Sequence, residues 1–200
     1  NYKGKYKILF SLIESQNQSL FKKNELDLIV HIGEVSGSGY NNVKEVWRIS
    51  EDGEIRDTFR KLTYMFDMSE LDFFNHYIRY EEIPTHNLYN DLRLKYNELL
   101  DKVPELPFSN IWIAQFMSQS IPENSVLHLG IRNSLRSWNF FEIPDSVLAF
   151  SNVGGFGIDG GVSSLIGSSF ANKDKIYFGV FGDLAFFYDM NCLGNHHIGN

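Results

Sequence analysis

Residues 151–164, with the sequence SNVGGFGIDGGVSS, contain a glycine-rich turn that could hold a phosphate group. Gly155, Gly157 and Gly160 form a G-x-G-x-x-G pattern between a predicted strand and a predicted helix, as in dinucleotide-binding turns. Asp159 lies inside this turn, where its negative charge would face a pyrophosphate at the N-terminus of the helix. The aspartate therefore argues against a dinucleotide, although the glycine pattern leaves that interpretation open.

Asp183 is the second residue whose position suggests chemistry. Gly182-Asp183 ends an apolar strand and precedes a helix, so it places a hard oxygen ligand beside the start of that helix. Mg²⁺ prefers a carboxylate together with phosphate oxygens, and keeps water or carbonyl oxygens in its other positions. The simpler interpretation is a helix-capping aspartate, which contributes about 1 kcal/mol. Asp183 alone does not decide between a cap, a ribose-binding acid and a metal ligand.

The second half of the chain alternates strands and helices in a way that would bring these loops together. The pattern predicts three strands at 125–131, 146–152 and 175–183, and four helices at 109–121, 133–141, 158–172 and 184–194. Ser109 or Asn110 would cap the first of these helices. Strands that are apolar along their length indicate a parallel sheet covered on both faces. Ligands bind beyond the carboxyl ends of such strands, here in the loops at 130–134, 151–161 and 182–184.

The first half of the chain predicts a separate unit. Strands are expected at 26–32, at 43–54 with a closing turn, and around the alternating apolar residues of 60–70. A helix is expected at 87–102, and Pro104 and Pro107 then break the helical pattern. We therefore predict an α/β protein with parallel sheets flanked by helices, and domains at 1–106 and 107–200.

Composition limits the class of protein. The net charge is −7, without the clustered basic face that nucleic-acid binding requires. Cys192 is the only cysteine, so no intrachain disulfide can form. No apolar run reaches the roughly 18–20 residues that cross a bilayer. These features predict a cytoplasmic protein that acts on small molecules and binds neither nucleic acid nor membrane.

Residues 151–193 carry a resemblance to a known family. The segments SN at 151–152, GIDG at 157–160 and GDL at 182–184 leading into YDMN, with the upstream GIRNSLRSWNFFEIP, resemble the diphosphate-binding domain of thiamine diphosphate-dependent enzymes. Within that family the chain looks most like the menaquinone-pathway carboligase. The resemblance covers 107–200 and, more weakly, 20–106. It implies a Rossmann-like central domain, incomplete at its N-terminus, followed by a truncated domain that binds thiamine diphosphate.

The resemblance implies roles for particular residues. Asp183 would be the first Mg²⁺ ligand, Ile158 the apolar wedge that holds the cofactor bent, and the backbone around Phe156 and Gly157 a contact of its aminopyrimidine ring. The implied cofactor-binding residues are Asn133, Ser134, Phe156, Gly157, Ile158, Gly182, Asp183 and Leu184. The partner asparagine ligand would fall beyond residue 200. The activating glutamate would come from an N-terminal domain of a neighbouring subunit, so the resemblance implies no catalytic residue here and a homo-oligomer, a dimer or tetramer, for the intact protein.

Two departures from the family pattern affect the substrate. The menaquinone-pathway enzyme has arginines, which grip carboxylates well, at the places of Val153 and Trp138. We therefore expect a thiamine diphosphate- and Mg²⁺-dependent decarboxylase or carboligase that acts on a different 2-oxo acid, with the 200 residues alone inactive. The alternatives are an NAD-type dinucleotide-binding oxidoreductase and a non-catalytic domain of the same fold that serves assembly.

Overall fold

The computed structural model describes residues 7–16, 26–33, 42–77, 88–153 and 157–198. Within these ranges the strands form two three-stranded sheets, and every pair of neighbouring strands is parallel. The predicted α/β class, with parallel sheets flanked by helices, is confirmed. Residues 13–95 form one compact unit, and the other described residues form the second. The domain boundary at residue 106 stays a prediction.

The first sheet has the strand order β1-β2-β3. The elements of this part of the chain are helix α1 (Phe10–Gln16), β1 (Leu26–Ile32), β2 (Val43–Ile49), β3 (Leu62–Phe66) and helix α2 (Glu70–Tyr77). The β-branched side chains of Val43, Val46 and Ile49 are buried on the central strand, as suits a strand covered on both faces. Phe73 of α2 is buried with its ring 5.0 Å from that of Phe66, which holds the helix against the sheet.

Arg48 interrupts the apolar pattern of β2, and its side chain is completely buried. Its guanidinium donates hydrogen bonds to the carbonyl oxygens of Gly33 (3.4 Å) and Glu54 (3.3 Å) and to the carboxylate of Asp52 (3.1 Å). A hydrogen bond from the backbone N–H of Glu54 lowers the pKa of Asp52, and the charge of Arg48 adds to this effect. The buried charge is tolerated because its donors have acceptors, and it ties together the loops that follow β1 and β2.

The second sheet has the strand order β5-β4-β6 and shows the predicted alternation of strands and helices. The strands of this sheet and the helices around them are α3 (Leu88–Asp101), α4 (Asn110–Met117), β4 (Val126–Leu129), α5 (Asn133–Trp138), β5 (Leu148–Ser151), α6 (Gly161–Ala171), β6 (Tyr177–Val180) and α7 (Asp183–Asp189). Short 3-10 helices follow α4 and α7. All four residues of the central strand β4 are buried.

The core of the second unit lies between this sheet and the helices α4 and α5. Its buried members are Ala114, Ile121, Leu127, Leu129, Trp138, Phe141, Val147 and Ala149. Tyr96 of α3 is also buried, and its hydroxyl donates to the carbonyl oxygen of Phe140 at 3.2 Å. This bond satisfies the one polar atom of an otherwise apolar contact.

The starts of two helices show how well local signals locate boundaries. Ser109 caps α4, because its hydroxyl accepts the backbone N–H of Trp112 at 3.2 Å, as predicted. By contrast, α6 begins at Gly161 rather than at residue 158. Gly160 has a left-handed backbone (φ 77°), which ends the preceding loop and sets the first helical residue. Across the described ranges, no helix is long and apolar enough to cross a membrane.

Candidate functional site

The carboxyl ends of the three strands of the second sheet meet at one small cavity. Its lining includes Gly130 after β4, residues of the loop between β5 and α6, and Phe181 after β6. The chain runs from β4 to β5 on one side and returns to β6 on the other side of β4, which is the arrangement that opens a ligand crevice in parallel sheets. The cavity has a volume of about 20 Å³, enough for about one water molecule. A larger ligand would therefore lie on the rim that these loops form.

The loop after β5 is held by side chains on both sides of its glycine turn. Asn152 donates from Nδ2 to the carbonyl oxygen of Gly160 (2.9 Å) and to the hydroxyl of Ser164 (2.8 Å). Ser151 donates to the carbonyl oxygen of Leu129 at 2.7 Å, which ties the loop to the end of β4. Asp159 accepts the backbone N–H of Gly160 at 2.8 Å, so its carboxylate turns toward its own loop.

Within this loop, Gly157 and Ile158 line the cavity, and Ile158 is half-buried. Ile158 lies in the loop just before α6 and belongs to neither a strand nor a helix. Its position therefore differs from that of an isoleucine packed inside a sheet or helix. The contribution predicted for Phe156 lies outside the described residues.

The segment 182–184 places a carboxylate at the start of α7. Gly182 is the residue before the helix, Asp183 is its first residue, and both are exposed together with Leu184. One oxygen of Asp183 accepts the backbone N–H of Leu184 at 2.8 Å. In the part of the chain that the structure describes, no three His, Cys, Asp or Glu side chains cluster as metal ligands do. A metal ion at Asp183 would thus need further ligands from backbone, water, a phosphate or other residues.

Phe181 forms the floor beneath these loops. A Cβ atom added to Gly161 would lie 2.9 Å from Cε1 of its ring, and one added to Gly130 would lie 3.2 Å from Cδ1. A Cβ on Gly179 would also meet the ring, and would lie 2.7 Å from a methyl carbon of Leu165. The ring therefore packs where three glycines leave room for it, in contact with the ends of β4 and β6 and the start of α6.

Asn133 and Ser134 begin α5, the helix that follows β4. Asn133 is exposed and Ser134 is half-buried. The preceding residue, Arg132, has a positive φ (65°) and turns the chain into the helix. Neither Asn133 nor Ser134 lines the small cavity, whose nearest member on this loop is Ile131. They follow the carboxyl end of β4 but, unlike Ile158, do not line the cavity.

Asp189 is a residue of this region that the sequence pattern did not indicate. It is the last residue of α7, it is 8% exposed, and its carboxylate accepts the backbone N–H of Ser163 at 2.6 Å and also the hydroxyl of Ser163. Once the structure shows that α6 starts after Gly160, the need is clear, because glycine has no side chain to accept the free N–H groups of the first turn. An acceptor from elsewhere in the chain was therefore to be expected.

His128 lies on β4 at the base of the cavity, and its protonation gives a testable pH dependence. Burial lowers its pKa, and its Nε2 atom lies 3.0 Å from the hydroxyl of Ser168. The unfolded chain, with a histidine pKa near about 6.5, binds this proton at higher pH than the folded chain does. The contribution of the buried His128 to the free energy of unfolding is thus complete above the unfolded pKa, and it is lost as the pH falls through the lower folded-state pKa.

We accordingly expect the free energy of unfolding to fall less between pH 7.5 and pH 5 in His128→Gln than in the unchanged chain. Urea unfolding at several pH values measures this difference. The exposed residue His196 provides the control, since His196→Gln should leave the pH dependence unchanged. Equal pH dependence in His128→Gln and the unchanged chain would contradict the prediction.

Three known proteins similar to this chain carry the same name. The chain is 35% identical over 158 residues to the 2-succinyl-5-enolpyruvyl-6-hydroxy-3-cyclohexene-1-carboxylate synthase of Bacteroides fragilis, which covers 78% of this chain and 28% of that protein. It is 31% identical over 157 residues to the synthase of Bacteroides thetaiotaomicron, a match that covers 78% of this chain and 27% of that protein. It is 40% identical over 98 residues to the synthase of Christiangramia forsetii, a match that covers 49% of this chain and 17% of that protein. No family model matches the chain. The chain spans 28% of the length of the first of these relatives, and the resemblance inferred from its sequence is confirmed.

Proposed function

We propose that this chain, a relative of the 2-succinyl-5-enolpyruvyl-6-hydroxy-3-cyclohexene-1-carboxylate synthases over 78% of its length, holds the diphosphate and metal of thiamine diphosphate in a longer decarboxylase or carboligase. The observation that carries the proposal is the convergence of three loops, after β4, β5 and β6, on one edge of the second sheet. That edge combines the start of an eleven-residue helix, α6, with an exposed carboxylate at Asp183.

The residues on this edge fit a diphosphate bound through a metal ion. Asp183 offers the hard oxygen that Mg²⁺ prefers. The third backbone N–H of α6, that of Ser163, is taken by Asp189, so a phosphate would bind at the first two, those of Gly161 and Val162. Asp159, whose charge argues against a pyrophosphate bound without a metal, accepts the N–H of Gly160, and its charge would be offset by the metal ion at Asp183. Neither contact needs a lysine or arginine, which agrees with the composition of the loops at 151–161 and 182–184.

The apolar residues of the site support the same assignment. Ile158 is half-buried beside the cavity, where it can pack against an aromatic cofactor without contributing a charge. Burial lowers the pKa of His128 at the base of the site and so favours its neutral form. When bound, thiamine diphosphate supplies the electron sink for the loss of CO₂ from a 2-oxo acid, while the protein positions it and excludes water.

The substrate we propose is a 2-oxo acid held without the two arginines of the menaquinone-pathway enzyme. Trp138 is 3% exposed and belongs to the hydrophobic core, and its ring N–H has no hydrogen-bond partner among the described residues. The place of one arginine is therefore taken by an uncharged side chain. Val153, at the place of the other, donates its backbone N–H to the carbonyl oxygen of Ser151 at 3.0 Å and has no charge to offer. A carboxylate-rich substrate would lose bidentate contacts at both places.

Calorimetric titration tests the cofactor assignment. In the intact protein we expect thiamine diphosphate to bind in the presence of Mg²⁺ and to lose affinity when the metal is removed by a chelator. Residues 1–200 alone should show neither turnover nor micromolar binding, because in this proposal the second metal ligand and the activating glutamate implied by the family resemblance come from the rest of the intact protein. Micromolar binding to residues 1–200 would contradict that expectation.

A titration with NADH provides the matched comparison. A dinucleotide-binding oxidoreductase would enhance NADH fluorescence irrespective of Mg²⁺ and thiamine diphosphate. That result, together with the absence of Mg²⁺-dependent thiamine diphosphate binding to the intact protein, would overturn the proposed function.

A further inference from the structure

We infer that Asp189 is a positioning residue for the diphosphate and metal site, an inference that rests on the proposed function. Its side chain does not line the cavity. It acts instead through the first turn of α6, whose free N–H groups are the proposed phosphate contacts.

The contact of Asp189 replaces a missing helix cap. A helix normally begins with a side-chain oxygen that accepts the N–H of its second or third residue. The residue before α6 is Gly160, so the oxygen comes from the last residue of α7. Asp189 accepts both the backbone N–H and the hydroxyl of Ser163, the third residue of α6; the carboxylate is buried, whereas Ser163 is exposed.

Helix α7 carries Asp183 at its first residue and Asp189 at its last. With a rise of about 1.5 Å per residue, the two lie roughly 9 Å apart along the helix axis. The ring of Phe181, just before α7, packs against Gly161 at the start of α6. The first turn of α6 therefore contacts Phe181 just before α7 and Asp189 at the end of α7. These two contacts fix the backbone N–H groups of α6 relative to the carboxylate of Asp183.

A residue that only stabilised the fold would behave differently from a positioning residue. Its loss would lower the melting temperature, but the folded protein would bind cofactor as before. Loss of a positioning residue should loosen the start of α6 in the folded state and raise the cofactor concentration needed for activity, with little change in the rate at saturation.

The first measurement is amide hydrogen exchange by NMR in residues 1–200, at a temperature well below unfolding. We expect exchange at the start of α6, including Ser163, to rise about tenfold in Asp189→Ala, because the N–H of Ser163 loses the buried carboxylate that accepts it. Asp189→Asn keeps one acceptor oxygen and should give a smaller rise. Asp174→Asn, at an exposed turn between α6 and β6, removes the same charge and should change nothing.

The second measurement is the Mg²⁺-dependent affinity for thiamine diphosphate, with steady-state kinetics, in the intact protein carrying the same substitutions. We expect the KM for the cofactor to rise about tenfold in Asp189→Ala, the same loss that the exchange experiment measures, and kcat at saturating cofactor to stay within about twofold.

The outcomes separate this inference from the proposed function. Unchanged exchange at Ser163 in Asp189→Ala would overturn the inference without reference to any cofactor. Faster exchange with unchanged cofactor affinity would show a purely structural role, and would overturn the inference while leaving the proposed function intact. If the unchanged intact protein binds no thiamine diphosphate, the proposed function fails, and the positioning role fails with it.

Discussion

Replacing Asp183 by alanine is expected to abolish Mg²⁺-dependent binding of thiamine diphosphate to the intact protein, with an increase in Kd of at least about 100-fold. Outer-shell partners of metal ligands already change metal affinity by roughly 10–100-fold, and Asp183 would contact the metal directly. It is exposed at the first residue of α7, so its removal leaves no cavity and the fold should persist. Calorimetry with and without Mg²⁺ measures the effect.

Two variants make the Asp183 experiment specific. Asp183→Asn keeps an oxygen that can reach the metal but removes the charge, so its affinity should lie between those of the alanine variant and the unchanged protein. Asp174→Ala removes an exposed carboxylate from the turn before β6, and should bind cofactor normally. Retained Mg²⁺-dependent affinity in Asp183→Ala would mean that Asp183 only serves the start of its helix, the alternative that the sequence left open.

Replacing Gly179, an exposed residue of β6, by alanine should lower the free energy of unfolding by about 1 kcal/mol, because overpacking costs about 1–3 kcal/mol and the preference of a strand for alanine over glycine offsets part of it. The new Cβ would meet the ring of Phe181 and would lie 2.7 Å from a methyl carbon of Leu165. Because Phe181 also packs against Gly130 and Gly161, its ring has little room to move aside. Urea unfolding of residues 1–200, followed by circular dichroism, measures the change.

Gly167 is the matched control for Gly179. It lies inside α6, and a Cβ added there meets nothing within 4 Å. Gly167→Ala should therefore raise stability by about 0.5–1 kcal/mol, since alanine favours a helix interior over glycine. If Gly179→Ala and Gly167→Ala changed stability in the same direction, the packing of Phe181 would be contradicted. In a Phe181→Leu background, the cost of Gly179→Ala should fall by about 1 kcal/mol, because residues in contact couple.

Much of the second unit could be predicted because its signals are local. The alternation of apolar strands with helices predicted the parallel sheet, and the hydroxyl of Ser109 caps α4 as its residue type indicated. The start of α6 was predicted three residues too early. Backbone geometry decided this boundary, since the left-handed conformation of Gly160 is not distinguished by the sequence from that of any other glycine in the turn.

The partners of the site residues could not be predicted in the same way. Asp189 lies 26 positions from Ser163 in the chain, and nothing in the residues around Asp189 indicates which helix it will cap. The buried Arg48 likewise depends on carbonyl oxygens of Gly33 and Glu54, which face it only once the first sheet has formed.

By itself, the sequence determined the α/β class, the resemblance to a known family and the loops that carry Ile158 and Asp183, because these depend on residue types and on short-range periodicity. Only the tertiary structure decided the packing of Phe181 among three glycines and the contact of Asp189 with the first turn of α6. Both are contacts between elements distant in the chain, and their energies depend on distances of a few tenths of an ångström that a pattern of residue types does not encode.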